Sequence, residues 1–130
     1  FFILNKIKIN YKIFFSILVL IFISLGILFN IKEDEKNNNV LNYTEARTMI
    51  KNTKFDYIID VRSREEYNFA RIQEAIYIPI DELKKSVELY DMNSVILLIE
   101  GPRAAYGKII LNNMGFDNVM YLKEGYNRLK

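Results

Sequence analysis

The sequence predicts a small α/β domain with a central, mostly parallel sheet flanked by helices, standing behind an N-terminal transmembrane helix. Three observations carry this. Ile13 to Phe29 contains no charged residue, as a bilayer-spanning segment requires. From Val40 onward, short apolar runs alternate with stretches of helical pattern, the signature of βαβ units. One of those runs, Val95 to Ile99, is apolar at every position, as a central strand covered on both faces should be.

At about 1.5 Å per residue the Ile13–Phe29 segment spans roughly 25 Å, slightly short of the roughly 30 Å hydrocarbon layer. Tyr11 and the aliphatic stem of Lys12 can extend it at the interface. Residues 1–12 form a basic flank with Lys6, Lys8 and Lys12 and no acid, so the positive-inside bias puts the N-terminus in the cytoplasm and the rest of the chain outside. A cleaved signal peptide, leaving a secreted domain, is the alternative. Against it, Ser24 and Gly26 fall inside the apolar run, which is longer than an ordinary signal core of roughly 7–15 residues. All-round hydrophobicity argues against a buried core helix. Residues 30–39, NIKEDEKNNN, are polar and charged and read as a solvated tether.

The domain then occupies residues 40–130. Thr44 is placed to cap a helix through about Lys51. Tyr57 to Val61 reads as a buried strand, and Ser63-Arg64-Glu65-Glu66 has the spacing of a capping box opening a short helix. Ala75 to Ile78 is the next strand, stopped by Pro79. Asp81 begins a helix to about Tyr90, Val95 to Ile99 is the central strand, and Glu100 to Arg103 is a loop. Ala104 to Met114 is a helix ended by Gly115. Val119 to Leu122 is the last strand, and Gly125 permits a turn into a terminal helix.

Composition removes most catalytic kits. The 130 residues include no cysteine and no histidine, which excludes thiolate nucleophiles, disulfides, Cys/His zinc sites and imidazole bases. No cofactor and no metal is implied. Eighteen basic against sixteen acidic residues give a net charge of +2, which is no nucleic-acid footprint. The partners expected are membrane lipid, through the N-terminal helix, and an unidentified protein. Nine tyrosines, among them Tyr67, Tyr77, Tyr106 and Tyr121, are core-edge residues or part of a partner-binding patch.

The run Asp60-Val61-Arg62-Ser63-Arg64-Glu65-Glu66-Tyr67, followed by Ile72, Ala75 and Ile78-Pro79-Ile80-Asp81-Glu82-Leu83, resembles the rhodanese-like family. Gly101-Pro102-Arg103 before a helix and Gly115-Phe116-Asp117-Asn118-Val119 continue the resemblance at the family's spacing. Glu124-Gly125 stands where the family usually has a Gly pair. In the sulfurtransferases of that family, and in phosphatases of the same fold, a cysteine ends the central strand and opens a loop reading Cys-x-x-Gly-x-Arg. Loop amides and the following helix N-terminus there form an anion nest that stabilises thiolate and persulfide.

Matching Gly101 and Arg103 to that pattern puts Leu98 at the cysteine position. The degenerate loop is then Leu98, Ile99, Glu100, Gly101, Pro102 and Arg103. Leu98 supplies no nucleophile, Pro102 has no N–H to donate, and Glu100 brings a negative charge to the anion position. Two unit charges about 4 Å apart repel by roughly 1 to 4 kcal/mol near a protein surface. The family's Gly-His-Ile-Pro-Gly-Ala stretch becomes Ala70-Arg71-Ile72-Gln73-Glu74-Ala75, which keeps Ile72 and Ala75 alone.

Asp60 and Arg62 are expected to be structural, with the carboxylate at a strand end accepting bonds from loop amides or an arginine. Arg103 is the one anion-binding candidate, or else pairs with Glu100 or Asp60. The resemblance without the cysteine implies a membrane-anchored, catalytically inactive rhodanese-like domain serving as a binding or scaffold module. The alternative is a sulfurtransferase or phosphatase of that fold using another nucleophile.

Overall fold

A computed structural model describes residues 10–36 and 39–123. In chain order the elements are α1 (Tyr11–Lys36), β1 (Val40–Leu41), α2 (Tyr43–Lys51), β2 (Tyr57–Asp60), α3 (Arg64–Phe69), β3 (Ile76–Tyr77), α4 (Leu83–Ser86), β4 (Ile96–Ile99), α5 (Gly101–Met114) and β5 (Val119–Leu122). The strands form one five-stranded sheet in the order β1-β5-β4-β2-β3, and every pairing is parallel. Helices cover both faces, as parallel strands require.

The alternation of side chains along β4 divides the core. Ile96 and Leu98 face a cluster with Leu83 and Val87 from the α4 region, Ala104, Ala105 and Leu111 from α5, and Phe116 beyond it. Leu97 and Ile99 face the opposite cluster, with Ala46 and Ile50 of α2 and with Ile72 and Ala75. All four β4 residues are fully buried, at about 1.5–3 kcal/mol of hydrophobic stabilisation per side chain. Ile72 and Ala75, kept from the family pattern, are core positions.

Several boundaries differ from the sequence reading. The cap of α2 is Asn42, not Thr44: Asn42 Oδ1 accepts from Glu45 N at 2.9 Å and Asn42 N donates to Glu45 Oε2 at 3.0 Å. The helix expected from Asp81 to Tyr90 is only the single turn of α4. Leu83 and Val87 are its one buried i, i+4 pair, and Tyr90 leaves the helix to stack on Tyr57 with ring centroids 4.0 Å apart.

Gly101 to Arg103, expected in a loop, are the first turn of α5; Pro102 is accommodated near the helix start, where a missing N–H costs no intrahelical bond. Gly115 ends α5 with φ 106°, in the left-handed region that favours glycine.

The segment read as a solvated tether is helical through Lys36, continuous with the apolar run. Residues Tyr11–Lys32 are long and apolar enough to cross a membrane, and a signal sequence would pass the same test. Ile27 and Ile31 are partly buried against the α5 face of the core. Lys6, Lys8, Glu124 and Gly125, and the terminal turn expected at Gly125, lie outside the described residues.

Candidate functional site

Parallel strands bring their C-terminal ends to one edge of a sheet, the usual place for a site in such folds. Here Asp60, the last residue of β2, stands opposite Ile99, the last residue of β4. The chain leaves β2 through Val61 and Arg62 into α3, and leaves β4 through Glu100 into α5.

Asp60 and Arg62 lock the first of these turns. Asp60 is 0% exposed and Arg62 4%. Arg62 N donates to Asp60 Oδ1 at 3.1 Å, Arg62 Nε to Oδ1 at 2.9 Å and to Oδ2 at 3.1 Å, and Arg62 Nη2 to Oδ2 at 2.7 Å. The same Nη2 donates to the Ala70 carbonyl at 2.7 Å, tying the end of α3 to the end of β2. Burial works against the Arg62 charge. The hydrogen bonds and charge of Asp60, with Glu100 and Glu66 adding to them, prevail and hold the guanidinium pKa above its ordinary value. This is a buried, bidentate pair with one further bond from the guanidinium to backbone.

Ser63 caps α3 by accepting from Glu66 N at 3.2 Å. The Glu66 side chain does not complete a capping box; it accepts from Arg103 Nη2 at 2.5 Å, joining α3 to α5 across the sheet edge. Both side chains are about half exposed. Arg103 therefore pairs with Glu66, not with Glu100 or Asp60.

Between these groups lies an open cleft of about 280 Å³ lined by Arg62, Glu66, Phe69, Glu100 and Arg103. Two guanidinium groups and two carboxylates line it, so their formal charges cancel. None of the five side chains is a thiol or a hydroxyl. A larger depression of about 790 Å³ lies between α4 and α5, with Ile80, Lys84, Tyr106, Ile110 and Met114 among its walls. Its volume is greater, but the convergent charged groups belong to the smaller cleft, which is the better candidate on chemical grounds.

Leu98 does not line the cleft. It is 0% exposed in the interior of β4, between Ile59 and Tyr121 on the neighbouring strands. A methyl group built on Gly107 of α5 would lie 3.0 Å from Leu98 Cδ1, which fixes the leucine's direction: under α5, into the core. Ile99, equally buried, faces the opposite side. Of the six residues expected as one degenerate loop, Leu98 and Ile99 are strand, Gly101, Pro102 and Arg103 are helix, and Glu100 alone connects them. Gly101 begins the helix with φ 65°, the left-handed region that favours glycine.

Sequence spacing did not point to Glu66 or Phe69 as cleft residues. Glu66 was accounted for by its cap position, and its partner Arg103 is 37 positions away. Phe69 is 79% exposed at the cleft's lip, and an apolar side chain at the last position of a short helix carries no local signal of exposure.

No curated protein sequence matches the chain. Among solved structures, a rhodanese-related protein from Thermoplasma volcanium is 25% identical, covering 68% of this chain and 87% of its own, with a TM-score of 0.56. The human single-domain sulfurtransferase TSTD1 is 19% identical, covering 69% and 93%, with a TM-score of 0.58. A protein of unknown function from Rhodopseudomonas palustris, described as a possible tyrosine phosphatase, is 17% identical, covering 79% and 87%, with a TM-score of 0.65. The latter two, at such identity, share the fold alone. A family model described as the rhodanese-like domain matches residues 42–130; with the parallel sheet and the strand-end site in place, the chain belongs to the rhodanese-like domain family.

Proposed function

We propose that this chain is a membrane-anchored, non-catalytic rhodanese-like domain that works as a binding module. In this reading the apolar part of α1 crosses the bilayer, the basic N-terminal flank is cytoplasmic, and the domain stands on the other side. The cleft at the sheet edge meets the ligand or partner.

The observation that carries the reading is the absence of cysteine from the whole sequence. Sulfur transfer through a persulfide needs a thiolate, and Leu98, which motif spacing sets at the family's cysteine, is buried beneath α5 and outside the cleft. The cleft groups add support: Arg62 donates to the Asp60 carboxylate and the Ala70 carbonyl, and Arg103 to the Glu66 carboxylate. Charges already matched to one another favour recognition of a surface over stabilisation of a transferring anion.

The test is an assay of the detergent-solubilised chain for sulfur transfer from thiosulfate to cyanide and for phosphate-ester hydrolysis. Rates equal to the buffer blank are expected. Turnover that scales with protein concentration and survives repurification would overturn the non-catalytic reading.

A further inference from the structure

The direction of α1 decides what the cleft faces. Only residues 37–39 separate α1 from β1, yet Ile27 and Ile31 pack against the same core cluster as Val40. If α1 simply continued into β1, Ile27 would lie roughly 14 Å short of its own helix end and farther still from the core. We read from these contacts that α1 runs antiparallel to the strands and lies beside α5, which itself returns from the end of β4 to the start of β5.

A four-residue strand rises about 13 Å, and the nine residues from Ile27 to Lys36 rise about 14 Å along the helix. Ile27 is thus level with the C-terminal edge of the sheet. From Tyr11 to Gly26 every residue is exposed. That exposed stretch continues past the C-terminal edge, the edge at which Asp60 and Ile99 end and the cleft opens.

The exposed stretch is about 24 Å long, less than the roughly 30 Å hydrocarbon layer. The uncharged apolar run continues through Ile27 to Phe29, so a bilayer around it reaches the level of Ile27 and its headgroup layer overlaps the edge of the domain. We infer that the cleft opens onto the surface of the bilayer that α1 crosses, with Phe69 seated in the interface and the group the cleft meets being a phospholipid headgroup. A zwitterionic headgroup, with one charge of each sign and no net charge, suits a cleft whose two guanidinium groups and two carboxylates cancel and whose guanidiniums are already paired with carboxylates. This inference rests on the anchored reading given above.

The chain has no tryptophan, so single-tryptophan variants report depth directly. The full chain is reconstituted in phosphatidylcholine vesicles carrying a nitroxide on either the headgroup or the acyl chain. Three positions are compared: Phe69→Trp; Leu89→Trp, which is 98% exposed and precedes Tyr90, stacked on the first residue of β2 at the opposite edge; and Phe15→Trp within α1. Headgroup nitroxide is expected to quench tryptophan at 69 at least several-fold more than at 89, and acyl-chain nitroxide to quench tryptophan at 15. Equal quenching at 69 and 89, with 15 quenched, would overturn the orientation and leave the anchor standing. No quenching at 15 would overturn the anchor and the orientation together.

Discussion

Leu98 Cδ1 fills the space that Gly107 leaves on the facing helix: a Cβ at Gly107 would sit 3.0 Å from it, 3.2 Å from Leu83 Cδ2 and 3.3 Å from Ile80 Cδ1. The strand leucine and the helix glycine are complementary, large against small. Alone, Gly107→Ala gains about 1 kcal/mol of helix propensity but meets an overpacking cost of roughly 1–3 kcal/mol. Leu98→Ala alone should cost about 2–5 kcal/mol. In the Leu98→Ala background Gly107→Ala should become stabilising, with a coupling of about 0.5–3 kcal/mol. Urea midpoints of the four proteins measure it; additive effects would mean that the two residues do not share this space.

Leu98→Cys restores the family's residue type at the matching position, but not its setting. The new thiol would lie beneath α5, in apolar surroundings that disfavour the thiolate. Reaction with a disulfide reagent should be slow in the folded chain and fast in denaturant, and thiosulfate sulfur transfer should stay at background. Fast labelling of the native variant with measurable turnover would show that position 98 communicates with the cleft.

How much of this was readable beforehand depends on how local each cause is. The β4 run is legible because a strand buried on both faces has nothing but apolar residues, and Ile72 and Ala75 kept their family positions because the core needs them. Composition misled at residues 30–36: polar lysine and glutamate are also good helix formers, and a helix already under way extends through them. Asn42 with Glu45 had the spacing of a capping box as clearly as Ser63 with Glu66 did, and the box forms at the first and not at the second because Arg103 recruits Glu66 from 37 positions away. That pairing, the direction of Leu98 and the single-turn length of α4 are set by tertiary neighbours, which no local spacing records.

Removing the Asp60 charge should be the most damaging polar change at the sheet edge. Asp60→Asn leaves the Arg62 guanidinium buried without its counter-ion, at a cost of about 3–5 kcal/mol. Removing both charges, Asp60→Asn with Arg62→Met, should cost less than Asp60→Asn alone, because no unpaired buried charge remains. Chemical denaturation of the two variants compares them directly. A double variant less stable than the single would show that the Arg62 bond to the Ala70 carbonyl outweighs the ion pair.

The Tyr57–Tyr90 stack should make stability depend on pH in the alkaline range. Burial, and then the charge of Tyr57, raise the Tyr90 pKa above its ordinary value of 10.0. The folded state thus holds this proton more tightly than the unfolded state does. Its contribution is fully present below the unfolded value and is lost as pH rises through the folded one. Tyr90→Phe should therefore flatten the fall in stability above about pH 10 relative to the parent chain, with little change at pH 7. Parallel pH-dependent melts by far-UV circular dichroism test this, and identical slopes would remove Tyr90 as the cause.

The Glu66–Arg103 pair is half exposed, so breaking it should change stability by only about 0–1 kcal/mol. Its effect should appear in anion binding, where Glu66 competes with any oxyanion for the Arg103 guanidinium and Glu100 adds repulsion nearby. The parent chain is expected to show no thermal shift with thiosulfate, sulfate or phosphate. Glu66→Gln releases the guanidinium and should gain a shift that high salt abolishes, approaching about 2.7 kcal/mol at roughly 100-fold excess over the dissociation constant. Arg103→Gln in the same background should remove it. An equal shift in the parent would mean that the cleft already holds anions with the ion pair in place.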